Sequence, residues 1–368
     1  MDLKLRSTWI STYIPKTSAC SSETHTRRGR TVITTDYSNL DPDGKLVDYE
    51  SWLQRPQAPA VPHAQQPIYP GTTPDPSPPG SPEPPSPRRR GVFLRWAKRI
   101  AVTSFALFLL VESIAVGLIF FMPPSTMFMA TDEASGPTVQ QNVSIDHISR
   151  YIISAVIVHE DGELGTRLAP FDYGEFVDRI AARLDGEKDP AGSSIPQQVT
   201  KNIFFNRSQN SVKKGIEALF ALPFGYTISD ERMMEIYLNI AQFGPNLYGV
   251  CAATWYYFDV PPWNVSSVQA AQLAGLLPLG EDVRRAHDGG IDLSEDAFWL
   301  VPVSVNRAAG WFIPQIESEM GGWEGVAATI GIAEPASAFE DTLDQPDACS
   351  TMPQAVRDRL DSEGVAPN

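Results

Sequence analysis

Residues 191–217 read AGSSIPQQVTKNIFFNRSQNSVKKGIE, with amides and cations recurring where a plain core helix would carry apolar residues. Gly192-Ser193-Ser194 supplies a flexible residue and two capping hydroxyls ahead of a run that accepts Pro196 in its first helical turn. A helix start leaves backbone N–H groups unpaired and carries partial positive charge, which suits a phosphate oxygen. Beyond it, Gln197 and Lys201 share one helix face and Gln198 and Asn202 the adjoining one, while Ile195, Val199, Ile203 and Phe204 fall on the side that packs. A second helix, begun by Asn210 or Ser211, sets Lys213 and Lys214 within one turn of Glu217. The same residues also fit capping, solvation and an i,i+4 pairing of Lys213 with Glu217 worth about 0.3–0.5 kcal/mol, so spacing alone leaves both readings open.

Compared with known patterns, AGSSIPQQVTKN resembles the GGSTITQQxxKN motif of the peptidoglycan glycosyltransferases (transglycosylases, glycosyltransferase family 51), and KKGIE resembles their RKxxE motif. ERMMEIYLNIAQFGPNLYG resembles KxxILExYLN and the residues after that motif in the monofunctional members: Glu235, Tyr237, Leu238 and Asn239 match, and Asp230 replaces the family's Lys. The segment beginning Glu160-Asp161 resembles EDxxFxxHxG in part, with Leu164 near the Phe, Arg167 in place of the His, and Ala169-Pro170 near the Gly. The resemblance covers residues 154–278. It implies a mainly α, lysozyme-like domain that joins lipid II units into glycan strands by inverting attack of the acceptor 4-hydroxyl on the donor anomeric carbon, releasing undecaprenyl diphosphate. It assigns the general base to Glu160, and the diphosphate to Lys201, Arg207 and Lys213, aided by Ser193, Gln197, Gln198 and Asn202. Glu217 would orient Lys213 or hold a Mg or Mn ion on the diphosphate, with no obligatory cofactor. Asp161, Glu235, Tyr237 and Asn239 belong to the motifs, and Glu235 reads as architectural, a buried carboxylate tied to backbone or Arg. Two rivals fit the same residues: a hydrolase with two carboxylates near a sugar chain, and an impaired copy that binds lipid-linked precursor or scaffolds the wall machinery.

The scaffold for these residues is legible in the rest of the chain. It has 368 residues and a formal charge of −15, a balance that argues against nucleic acid as a partner. Thirteen prolines between Pro56 and Pro87 exclude helices and ladders there, so residues 1–99 read as a disordered, Pro-rich arm on the cytoplasmic side. Its PxxP-like spacing suits a spacer or a contact for other cell-wall proteins. Residues 100–122 are apolar enough to span ~35 Å at ~1.5 Å per residue, and the basic residues from Arg88 to Arg99 place the amino terminus inside and the remainder outside a bacterial inner membrane. Glu112, within that span, should be protonated or face another helix.

After a linker over 123–144, residues 145–159 have helical periodicity and deliver Glu160 at their end, within a glycosyltransferase domain over 145–285. Further helices are expected over 172–184, after the Ser229 cap, over 247–258, and over 266–277, where Ser266 and Gln269 form a capping box; Pro223 with Gly225 should close the helix before Ser229. Residues 286–368, with fifteen Asp or Glu against three Arg, read as a loosely packed acidic extension or a face for a partner protein. Of three cysteines, Cys251 and Cys349 share a compartment; a buried thiol at 251 is favoured over a bridge. The five His have no zinc spacing, so no structural metal is expected.

Overall fold

The computed structural model describes residues 88–134, 136–171, 174, 177, 192–206 and 211–365, with backbone alone at 88–92, 211–214 and 336. The proline-rich arm up to residue 87, nearly all of the helix expected over 172–184, and Arg207 lie outside the described residues. The fold is mainly helical, as its sequence periodicities require.

Helix α1 (Arg88–Phe120) is long, and within it Phe93–Phe120 is apolar enough to cross a membrane. The helix starts a dozen residues ahead of the apolar run, because 88–99 has no helix breaker except Gly91. Val111, Ala115 and Leu118, at i, i+4, i+7, are buried in the same core as the rest of the protein. Glu112 faces another helix of its own chain, accepting from Thr227 Oγ1 at 2.6 Å.

α2 (Met127–Ala130) follows, capped by Thr126, whose Oγ1 accepts from Met129 N–H. β1 (Val139–Gln140) leads through a 3-10 turn (Ile145–His147) to α3 (Arg150–Glu160), so the helix expected over 145–159 begins later, at the Ser149 cap. α4 (Ile195–Phe204) packs on α5 (Ser211–Thr227), with the Phe204 ring centroid 5.5 Å from Phe220 and 5.7 Å from Phe224. Pro223 does not close α5: burial of Ala221, Phe224 and Ile228 outweighs the single hydrogen bond a proline removes. Gly225 admits the Pro170 ring, which a Cβ would meet at 2.4 Å.

α6 (Asp230–Ile240) starts at Ser229, whose Oγ accepts from Arg232 N–H. Its Asn239 is fully buried, exchanging hydrogen bonds with Val143 N–H (2.7 Å) and Val143 O (2.8 Å) and thereby fastening the chain between β1 and α3. β2 (Gln242–Gly244) and β3 (Leu247–Tyr248) form a hairpin; β3 also pairs parallel with β1, with Val139 opposite Leu247, so 247–248 is strand rather than helix. α7 (Val250–Phe258) begins after Gly249, at φ 79°, where a Cβ would sit 2.8 Å from Asn239 O. α8 (Ser267–Leu276) carries the expected capping box of Ser266 and Gln269.

The extension is not loose. α9 (Leu300–Arg307), a π turn (Ala308–Phe312), α10 (Ile313–Glu319), α11 (Gly322–Ala328) and α12 (Gln354–Ser362) bring Val301, Val305, Ile316, Val326, Val356 and Leu360 into the common core. Short apolar patches separated by acidic residues hid this, since each helix buries only a few side chains. Cys251 and Cys349 form a disulfide, against the buried thiol favoured from sequence. The segment around Cys349 is brought to α7 by Trp255 Nε1 donating to Cys349 O at 2.9 Å. The bridge closes a loop of 98 residues. On a chain-entropy basis its loss should cost about 4.7 kcal/mol. Cys349→Ser should therefore melt well below the parent under oxidising conditions, and the two should converge in reductant; identical melts would exclude a stabilising bridge.

Candidate active site

α3 ends where Asp161 leaves helical geometry (φ −157°, ψ 71°), and this presents Glu160 at the helix terminus with its side chain 12% exposed. Both carboxylate oxygens have partners. Oε1 lies 2.7 Å from His159 Nδ1, and Oε2 accepts from Gln198 Nε2 at 2.7 Å. The same Gln198 amino group donates to Ser193 O at 3.1 Å, while its Oε1 accepts from Tyr237 Oη at 3.0 Å. One amide therefore joins the end of α3, the start of α4 and the middle of α6, and with both ends engaged it has one orientation. Burial, with the charges of Glu160 and Asp161 adding, pushes the Tyr237 phenol well above its ordinary range, so it remains a hydrogen-bond donor.

Asp161 lies beneath this cluster, buried. Both of its oxygens pair with Arg167, Nη2 donating to Oδ2 at 2.6 Å, and Oδ2 also accepts from Ile195 N–H at 2.8 Å. A carboxylate from α3 thus occupies one of the unpaired donors at the start of α4. Burial would lower the Arg167 pKa, but the hydrogen bond and charge of Asp161 outweigh it and the net shift is upward. Asp230 is shifted upward by burial, with Asp161 adding and Arg167 opposing. The two positions where the family has His and Lys carry Arg and Asp here, and these two attract each other electrostatically.

The other expected residues divide. Ser193 contributes its carbonyl to Gln198. Gln197 is buried and turned back into the cap, Oε1 accepting from Ser194 N–H at 3.1 Å. Asn202 is buried; Lys201 is half-buried, with Nζ 5.2 Å from the Phe128 ring centroid. Glu217 lies half-buried on α5 beside α4, and the side chain of Lys213, like Arg207, is outside the described residues. Glu235 does not join the Glu160 cluster: it accepts from Arg232 Nη1 at 2.6 Å and Ile145 N–H at 3.3 Å, and Arg232 Nε in turn donates to Leu118 O of α1. Of the ExYLN set, Tyr237 alone reaches Glu160's neighbours, while Glu235 and Asn239 hold the framework. Sequence reasoning missed His159 and the pairing of Arg167 with Asp161; the only signal was Arg167 standing where the family has His.

Residues 129–292 match the family model described as Transglycosylase. A biosynthetic peptidoglycan transglycosylase of Agrobacterium fabrum is 34% identical over 188 residues, half of this chain and 83% of that protein. The chain belongs to the transglycosylase family. Proteins of the same description from Shewanella amazonensis (36% over 192 residues; 50% of this chain, 76% of that one) and Pasteurella multocida (34% over 190; 49% and 77%) are also similar. In this transglycosylase, Glu160, Gln198, Tyr237, Asp161 and Arg167 all fall inside the matched region, whereas α9 to α12, Phe312 and Cys349 lie beyond it.

Proposed function

We propose that this chain is a peptidoglycan glycosyltransferase that polymerises lipid II, with Glu160 as the general base. The observation that carries the reading is the Glu160 carboxylate, oriented by two hydrogen bonds beside the start of α4 in a chain of this family. The acceptor's 4-hydroxyl oxygen bonds to the donor's anomeric carbon while the bond from that carbon to the diphosphate oxygen breaks. The hydroxyl proton passes to Glu160, and the electron pair leaves on undecaprenyl diphosphate; attack opposite the leaving group inverts the centre. The diphosphate is a good leaving group, so the site needs charge neutralisation more than an acid. Lys201, Lys213 and Arg207 would supply it, with N–H groups at the start of α4. Glu217 would orient Lys213 or hold a Mg or Mn ion on the diphosphate.

The lysozyme-like reading of the domain, and an orientation with residues 1–99 inside the cell and the site outside, belong to the same proposal. The disulfide supports that placement, because bridges persist in oxidising compartments. The proline-rich arm and the acid-rich surface of 286–368 are proposed contacts for other cell-wall proteins. Incubating the purified full-length chain in detergent with labelled lipid II should give long glycan; shortening of purified sacculi without polymer would instead indicate a hydrolase. In the same assay Tyr237→Phe, which removes the hydrogen bond to Oε1 of the half-buried Gln198, should turn over roughly tenfold more slowly. Parental turnover would remove Tyr237 from the site.

A further inference from the structure

We infer that His159, backed by Phe312 of the C-terminal segment, is a positioning residue for the Glu160 carboxylate. The inference rests on the reading of Glu160 as base. Consecutive helix residues do not normally face each other. Here the helix ends at Glu160, and His159 Nδ1 comes within 2.7 Å of Glu160 Oε1. An ionised carboxylate only accepts, so Nδ1 carries the hydrogen. Gln198 meets the other oxygen, and each oxygen keeps a second lone pair for an incoming hydroxyl. Two donors from two directions fix the carboxylate plane. With Gln198 alone the terminal torsion of a glutamate, which has broad wells, would be free to turn about one bond.

The imidazole is itself held. Its ring stands edge-on to Phe312, centroids 5.4 Å apart at 79°, and Phe312 ends the π turn Ala308–Phe312, a geometry that is uncommon and recurs at functional sites. The turn is anchored: Ala308 is fully buried, and Ser304 Oγ of α9 donates to Gly275 O of α8 at 2.8 Å. The C-terminal segment grips α3 at a second place, where Ser154 Oγ donates to Trp323 O and Tyr151 stacks edge-on to Trp323 with centroids 5.0 Å apart. All of these contacts come from beyond residue 292, where the family match ends. The segment thus has a task in the reaction: it holds the imidazole that aims the base.

Steady-state lipid II kinetics of the full-length chain, with melts to confirm folding, test this on His159→Ala, His159→Asn, Phe312→Ala and the double variant. His159→Ala should lower kcat roughly tenfold with KM within about twofold. His159→Asn, whose side-chain N–H can replace Nδ1–H, should recover most of that loss. Phe312→Ala should lower kcat about threefold and add nothing further to His159→Ala, since both act through one hydrogen bond. An unchanged kcat in His159→Ala, an Asn variant no better than Ala, or additive losses would overturn the inference while leaving the base assignment intact. A parent chain inactive on lipid II would overturn both.

Discussion

Glu160→Gln is expected to reduce lipid II polymerisation by about three orders of magnitude while donor binding stays near the parental value. The loss of the base is the first cause: general-base transfer typically contributes 10²–10⁴-fold, and an amide cannot take the proton. The second cause is local. Glu160 meets His159 Nδ1 and the Gln198 Nε2–H donor, so the new amide keeps both partners only with its oxygen toward Gln198 and the imidazole in its other tautomer. Donor binding is spared because Lys201 and Lys213, assigned to the diphosphate, lie on α4 and α5. Turnover and donor affinity measured on one preparation check this; retained turnover would take Glu160 out of the mechanism.

Asp161→Ala should destabilise the fold by about 3–5 kcal/mol, the usual consequence of leaving one partner of a buried ion pair without the other. Both Asp161 oxygens are used by Arg167, and Oδ2 also accepts Ile195 N–H, so alanine strands a guanidinium and a helix-start donor together. Asp230 attracts Arg167 electrostatically and lessens the loss without restoring the hydrogen bonds. In thermal melts the shift should be roughly 10 °C downward, with Asp161→Asn intermediate because its remaining oxygen still serves Ile195. A parental melting temperature in the alanine variant would show that the pair does not support α4.

What could be read from the residues alone was local. The start of α4, the buried Ile195 and Val199, the Ser229 cap and the capping box at Ser266 depend on neighbours within four positions, and each stands where spacing puts it. Contacts made across the fold were not legible. Glu112 meets Thr227 across 115 residues, and Cys349 reaches Cys251 across 98. Phe312 reaches His159 because a π turn, the bond from Ser304 to Gly275 of α8 and the bond from Ser154 of α3 to Trp323 seat the segment. Pro223 misled in the opposite sense: the proline rule is local, and the buried side chains of Ala221, Phe224 and Ile228 around it overrode the rule. In the candidate site, the family motifs pointed to Glu160 and Gln198, but nothing in their spacing says that the amide faces the carboxylate. That follows only from where α6 places Tyr237.

A lipid II analogue carrying a photoreactive group near its diphosphate, crosslinked to the full-length chain and mapped by mass spectrometry, tests most directly whether the end of α3 and the start of α4 form one lipid II site. Adducts are expected on α4 and α5, between Ser193 and Glu217, competed away by unlabelled lipid II. Competable adducts confined to α7 through α12, with none on α4 or α5, would contradict it.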